Sequence, residues 1–455
     1  MVKQPRPIRR IALISPCAGN LGNAAILSSM IANVRSRIPG VEIIGVTLNP
    51  EDTRLRHGID VFPITGASHG MYQMAVPPQY WSQPGITRRR PGYIKEKLKG
   101  IGWLRRLVQT ARTVRMERAH IVRAARLVRT LDRVIIAGGG ALDDFWGGPW
   151  GHPWTLFKFA CLSRVYRVPF VFVSVGMCSL NHPLSRRFAG WALRVAEYRS
   201  FRDHTSQAAV QAMFPRLEST VSPDLAYGYG VPEGPAARND GSSAARLHIA
   251  ISPIAFCDPR AWPVRDMKRY SRYVYQLAHF MKRAIGDGHR LTLFATENPD
   301  TDTVKDVLKI LAAESVDTVT IEVIPGPPRQ TTERLLQRIC DADLVIASRL
   351  HGVILSHLMA IPVVAISYDR KVDVHMSEIG QSKYCTNIDD FTTETLAAQF
   401  AMLVEARELE SDRLRRMVQT YKEQAAAQYD LLFGPRLSDS VQKQSSYQLV
   451  TQVQQ

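Results

Sequence analysis

The chain reads as an α/β protein made of two doubly wound, Rossmann-like domains. Three observations point there. Short apolar runs alternate with amphipathic stretches through both halves. Several of those runs are apolar throughout, as parallel strands covered on both faces must be. Residues 231–245, VPEGPAARNDGSSAA, are the most loop-like stretch in the interior and divide the chain. At 455 residues there is room for two or three domains of roughly 100–200 residues each.

Taken in order, the first domain (1–235) opens with a strand at Ile11–Ile14, a helix from about Asn23 to Arg37 and a strand at Val41–Thr47. Strands at Arg133–Ala137 and Phe170–Val175 follow, each ending in glycine. The second domain (246–390) repeats the alternation with strands at His248–Ile251, Arg290–Ala295, Val319–Ile324, Leu344–Ala347 and Val363–Ile366. Helices across 391–435 are expected to cross back onto the first domain. Residues 436–455, rich in Gln and Ser, read as a disordered tail.

Charge is unevenly spread. Between Arg88 and Arg133 fifteen Lys and Arg stand against Glu96, Glu117 and Asp132, so this segment holds +12 of the net +17. Leu104, Leu107, Val108, Ala111, Val114, Ile121, Val122, Ala125 and Val128 recur there at three- and four-residue spacing, with arginines largely between them. Two readings stay open: a helix packed on the sheet with a solvated arginine face, or a basic amphipathic helix in peripheral contact with an anionic membrane. Nucleic acid is not expected, because no recognition motif accompanies the charge. The start, MVKQPRPIRR, precedes only a short apolar run and reads as the approach to a first strand rather than a signal peptide. No apolar stretch nears the roughly 18 residues a spanning helix requires. Six scattered cysteines without a Cys-x-x-Cys pair suggest neither a zinc site nor a disulfide framework. A cytoplasmic protein, peripheral at the inner face of the membrane if the basic segment binds lipid, is expected.

One stretch carries more chemistry than the rest: Asp343-Leu-Val-Ile-Ala-Ser-Arg-Leu-His-Gly352. Its apolar run reads as a buried strand, and Ser348, Arg349 and His351 then fall where the strand gives way to a helix. In open α/β sheets ligands bind at the carboxyl ends of strands. The helix start adds free N–H groups and a positive dipole end. An anion trap beside a titratable imidazole results.

At this point the residues resemble a family. Ser348-Arg-Leu-His-Gly352 followed by Pro362-Val-Val-Ala-Ile-Ser-Tyr-Asp-Arg-Lys371 looks like the signature of the polysaccharide pyruvyl transferases. Asn20-Leu-Gly-Asn-Ala-Ala-Ile26, Gly138-Gly-Gly-Ala-Leu-Asp143, Arg202-Asp203 and Ser222-Pro-Asp-Leu-Ala226 agree in order. The resemblance implies the GT-B architecture, two facing Rossmann-like domains with a cleft between them. It also implies a metal-independent transfer, with no cofactor, of the pyruvyl group of phosphoenolpyruvate onto two hydroxyls of a sugar in an oligosaccharide or lipid-linked glycan. The product is a cyclic ketal, and phosphate leaves.

That chemistry requires cations for a phosphate and a carboxylate, an acid for the methylene carbon and a base for the sugar hydroxyl. Arg202, Arg349 and Lys371 suit the anions, because guanidinium forks bind phosphate and carboxylate bidentately; Gly352 sits beside them at the helix start. His351 is the candidate acid, or else an anion-binding group. Its pKa is pulled down by the helix N-terminus and up by a bound anion. On the acceptor side, Gly139 and Gly140 let the backbone approach a ligand. Asp144, or its neighbour Asp143, is the candidate base. Trp146 and Trp150, on a Gly/Pro loop with Trp154, offer flat faces to a pyranose. Asn20 and Asn23 complete the acceptor side. The resemblance implies Gly-Asp where the chain has Gly22-Asn23, so an acidic role there is lost. Asp224 reads as structural. The alternative, a nucleotide-sugar glycosyltransferase of the same architecture, needs a ribose-binding carboxylate, for which Glu297 is the candidate.

Overall fold

A computed structural model describes residues 7–15, 19–66, 102–231 and 246–436. Each half of the chain is organised around one parallel sheet. The first sheet takes β1 Arg10–Ile14, β2 Glu42–Thr47, β3 Asp60–Pro63, β4 Arg133–Ala137, β5 Phe170–Val175, β6 Tyr198–Phe201 and β7 Thr220–Val221, in the order β3-β2-β1-β4-β5-β6-β7. The second takes β8 His248–Ser252, β9 Arg290–Phe294, β10 Glu322–Ile324, β11 Leu344–Ala347, β12 Val363–Ser367 and β13 Cys385–Asn387, in the order β10-β9-β8-β11-β12-β13. Both orders reverse direction about the first strand of their half. That reversal opens a crevice at the strand carboxyl ends, β1/β4 in one sheet and β8/β11 in the other.

Central strands are apolar because helices cover both faces: β5 and β8 are buried at every position. β3, β6, β7 and β13 are short or edge strands whose mixed composition hid them from the sequence pattern. Two boundaries differ from expectation. The first helix runs Leu21–Arg35, because the Asn20 side chain accepts from the Asn23 N–H and caps it. The strand read at 319–324 is only Glu322–Ile324; Thr318–Thr320 form a 3-10 turn capped by Asp317.

The basic segment is helical over Gly102–Val128. It packs on the first sheet through Glu117, His120, Ala124 and Val128, while Val114 and Val122 face outward. The apolar stripe read from sequence is therefore rotated, and the cause is a buried polar cluster. Glu117 accepts from Lys158 Nζ at 2.7 Å, from the Trp154 indole N–H at 2.9 Å, and from Thr65 and the Gly66 N–H. Burial disfavours its charge, but Lys158 and these donors overcome that and hold its pKa down at about 2. The basic residues from 88 to 101, the segment 232–245 and the tail from 437 lie outside the described residues.

The last helix, Arg407–Phe433, returns to the first sheet. Gln428 donates to Ser174 Oγ at 3.0 Å and accepts from Ser200 Oγ. Arg37 holds Asp430 at 2.8 Å. Among the described residues no helix is long and apolar enough to cross a membrane.

Candidate active site

The two domains meet at their strand ends. The Leu21 N–H donates to the Thr296 carbonyl at 2.9 Å, Thr332 Oγ1 donates to the Leu21 carbonyl at 2.9 Å, and the Asn20 amide donates to Glu297 Oε1. Between them lies a cavity of about 260 Å³. The first domain lines it with Asn20, Asn23, Gly140, Asp143, Trp146 and Arg202, the second with Trp262, Glu297, Arg349, His351, Tyr368 and Lys371. A second recess of about 580 Å³ shares Asp143, Trp146, Trp262, Arg349 and Lys371, and continues past Phe145 and Arg269.

The cations differ in what already holds them. Arg349, at the N-cap of the Leu350–Leu358 helix, clamps Asp300 with two bonds (2.5 and 2.8 Å) and reaches Glu297 at 2.8 Å. Burial opposes its charge, yet the two carboxylates keep it firmly cationic. Its fork is full. Arg202 crosses Gly176, where a Cβ would meet its guanidinium at 2.6 Å, and its carboxylates Asp203 and Asp224 stand off at 3.4 Å. Lys371 is looser still, with Asp369 at 3.8 Å and the Tyr368 ring centroid at 4.9 Å.

His351 rests directly on Gly22. A Cβ at that position would lie 2.0 Å from the imidazole Cγ, so only glycine admits the ring. Its Nε2 is buried without a hydrogen-bond partner, and Asp224 is 3.8 Å away. Burial, more than any nearby charge, lowers its pKa to about 4. Thr296 Oγ1, also on the cavity wall, is likewise buried and unpartnered. Buried polar groups normally find partners, so a polar ligand is the expected missing one.

Two carboxyl groups face the same space. Burial pushes Asp143 above the ordinary carboxylate range, against the Phe145 N–H, Lys371 and Ser179. Burial also raises Glu297, although Arg349 opposes it. The Glu297 side chain keeps 27% of its surface, but in a narrow recess that surface is poorly hydrated.

Several sequence expectations need correcting. Asp144 is not at the cavity: its two oxygens accept from the Asn181 and His182 N–H groups at 3.1 and 2.9 Å, which makes it a loop anchor. Trp150 also lies away, edge-on to Trp154 and Phe188 at 5.6 and 5.9 Å. Gly352 does not line the cavity. It lets its helix approach Ala347 and Ser252, where a Cβ would sit 3.2 and 3.5 Å from their side chains. Gly139 stands behind Gly140, at φ +66° against Asn23. Glu297 is tied to Asn20 and Arg349 rather than free for a ribose. Asp224 does serve structurally, accepting from the Ala226 N–H at 2.9 Å to cap the turn that follows, and it also lies between Arg202 and His351. Asn20, Asn23, Gly140, Trp146, Arg202, Arg349, His351 and Lys371 do converge. Sequence reasoning missed Trp262, whose ring stands 6.0 Å from Trp146 and 5.7 Å from Tyr368. Its only signal was its place in the loop after β8.

Residues 20–370 match the family described as Polysaccharide pyruvyl transferase. The chain belongs to that family. It is therefore a transferase, and the match takes in the strands from β2 to β12 and the cavity residues from Asn20 to Tyr368. No curated protein matches the chain. Among solved structures it is similar to HepE of Anabaena in complex with UDP (TM-score 0.53, 13% identity, covering 96% of this chain and 100% of that one). It is also similar to S. aureus MnaA with UDP (0.52, 11%, 90% and 90%). A UDP-GlcNAc 2-epimerase from Methanocaldococcus jannaschii is a third (0.53, 8%, 90% and 99%). At such identities these likenesses speak for the fold, which is GT-B.

Proposed function

We propose that this pyruvyl transferase moves the pyruvyl carbons of phosphoenolpyruvate onto two hydroxyls of one sugar, in a cell-surface polysaccharide or its lipid-linked precursor. The observation that best supports this reading is the composition of one cavity: Arg202, Arg349 and Lys371 beside two carboxyl groups of raised pKa. A compact donor with a phosphate and a carboxylate needs several cations, and its enol carbon needs a proton.

Lys371 and Arg202, the less committed cations, take the donor's anionic groups first, and Arg349 follows by exchanging its Glu297 contact. Glu297, protonated as it loses Arg349, delivers its proton to the methylene carbon, which becomes the methyl group. The first sugar hydroxyl attacks the cationic C2, and its proton passes to Asp143. The C2–O bond to phosphate then breaks. The second hydroxyl closes the ketal, and its proton leaves with phosphate. Atoms and charge balance without an added reductant or oxidant. His351, neutral in the free protein, donates or accepts a hydrogen bond at the departing phosphate. The proton source is thus assigned to Glu297 in place of His351. Trp146, Trp262 and Tyr368 offer the sugar its apolar faces.

Calorimetric titration with phosphoenolpyruvate, beside UDP and UDP-GlcNAc, tests the reading. Saturable phosphoenolpyruvate binding that Lys371→Ala weakens is expected. Binding of the nucleotide or nucleotide sugar with no response to phosphoenolpyruvate would overturn it in favour of a glycosyltransferase.

A further inference from the structure

Three consecutive helices cover one face of the first sheet: Gly102–Val128, His152–Tyr166 and Pro183–Val195. Ala124 and Val128, Leu156, Phe159 and Ala160, and Ala189, Ala192 and Leu193 sit in one apolar layer with β1, β4 and β5. Across all three helices the only acidic residue is Glu117, and it is buried against Lys158. Every exposed charge they carry is therefore positive. Arg112, Arg115, Arg118, Arg123 and Arg126 stand on the first helix, and Arg164, Arg186, Arg187 and Arg194 on the other two.

Apolar groups are interleaved with these arginines. Val114 (51% exposed), Val122 (53%), Val165 (70%), Tyr166 (38%) and Trp191 (44%) all lie on the same three helices. A purely solvated basic face has no need of an exposed Trp, Tyr and three Val. Arginine with interfacial aromatic and aliphatic side chains is the pattern of a surface seated in the headgroup region of an anionic bilayer.

The direction of the first helix adds a second argument. Glu117 is held by Thr65 and Gly66, just past the carboxyl end of β3, so residues 102–116 continue beyond the strand ends. At about 1.5 Å per residue this projection is on the order of 22 Å. It lies on the side of the sheet where the cavity opens. We infer that this face docks the protein on an anionic lipid bilayer, with the projecting helix holding the cavity mouth near the headgroups. The inference stands apart from the donor chemistry, which would hold for a soluble acceptor as well.

Vesicle flotation of the full chain decides it, using phosphatidylcholine alone and phosphatidylcholine with phosphatidylglycerol. Binding is expected only to the phosphatidylglycerol vesicles, and it should weaken as salt shortens the screening length from about 10 Å toward 3 Å. Each arginine near such a surface contributes roughly fivefold in affinity, so Arg112→Ala with Arg115→Ala and Arg126→Ala should cost on the order of a hundredfold. Trp191→Ser, on a different helix, should reduce the binding that survives high salt. Unchanged thermal melting of each variant shows that it still folds. No binding to phosphatidylglycerol vesicles by the unaltered chain would overturn the inference. So would equally tight binding to double-stranded DNA with no effect of Trp191→Ser, which would mark a general polyanion surface.

Discussion

Replacing Glu297 by Gln separates binding from proton delivery. In the free protein Arg349 faces two carboxylates, Asp300 at 2.5 Å and Glu297 at 2.8 Å, so the ionised trio carries one net negative charge. A donor anion arriving beside Glu297 adds repulsion. For unit charges about 4 Å apart at an effective dielectric near 20 this is about 4 kcal/mol. Such repulsion favours the neutral carboxyl and raises its pKa further. Burial has already raised Glu297 above the usual glutamate range, so the occupied site should hold it protonated at pH 7. Phosphoenolpyruvate binding should then take up close to one proton, measured by calorimetry in buffers of different ionisation heat. Because the protonated form favours the anion, affinity should fall by up to about tenfold per pH unit as pH rises above the free pKa. Glu297→Gln should abolish the uptake and flatten the pH dependence while leaving binding at acidic pH near the original value. Undiminished uptake in Glu297→Gln that is lost in His351→Gln would refute the reasoning and return the acid role to His351.

Other outcomes follow from the same geometry. Asp143→Asn should cut turnover by roughly 10²–10⁴ with little loss of stability, whereas Asp144→Ala, which strands two backbone N–H groups, should lower stability by roughly 1–3 kcal/mol in urea titrations. Gly22→Ala places a Cβ 2.0 Å from His351 Cγ; it should displace the imidazole and cost about 1–3 kcal/mol, read by melting and by lost donor binding. Lys158→Met leaves Glu117 buried and unpaired and should destabilise by roughly 3–5 kcal/mol. His120 and His152 are held neutral by burial, each with a pKa of about 4. The unfolded chain binds those protons first, so stability should fall as pH drops from about 6.5 toward 4, by up to about 1.4 kcal/mol per unit per group. His120→Gln should reduce that slope in denaturation measured at pH 7 and pH 5.

The sequence by itself determined the two-sheet α/β architecture. Uninterrupted apolar runs such as Phe170–Val173 and Leu344–Ala347 have no stable place except a parallel sheet covered on both sides. It also determined that Arg349, His351 and Lys371 stand at strand ends, because a strand that stops at polar residues before a helix puts them there. Edge strands such as Cys385–Asn387 stayed hidden, since one uncovered side removes the need for apolar residues. What each charged group faces was decided only by tertiary structure. Asp143 and Asp144 are neighbours of one type, yet backbone amides from residues 181 and 182, distant in the chain, claim one and leave the other at the cavity. Arg349 reads as a free anion trap until Asp300 and Glu297, about fifty residues earlier, close on its fork. Val114 and Val122 read as core until the Glu117–Lys158 pair turns the helix. Periodicity records what a residue prefers; which partner satisfies its charge depends on chain segments that only folding brings together.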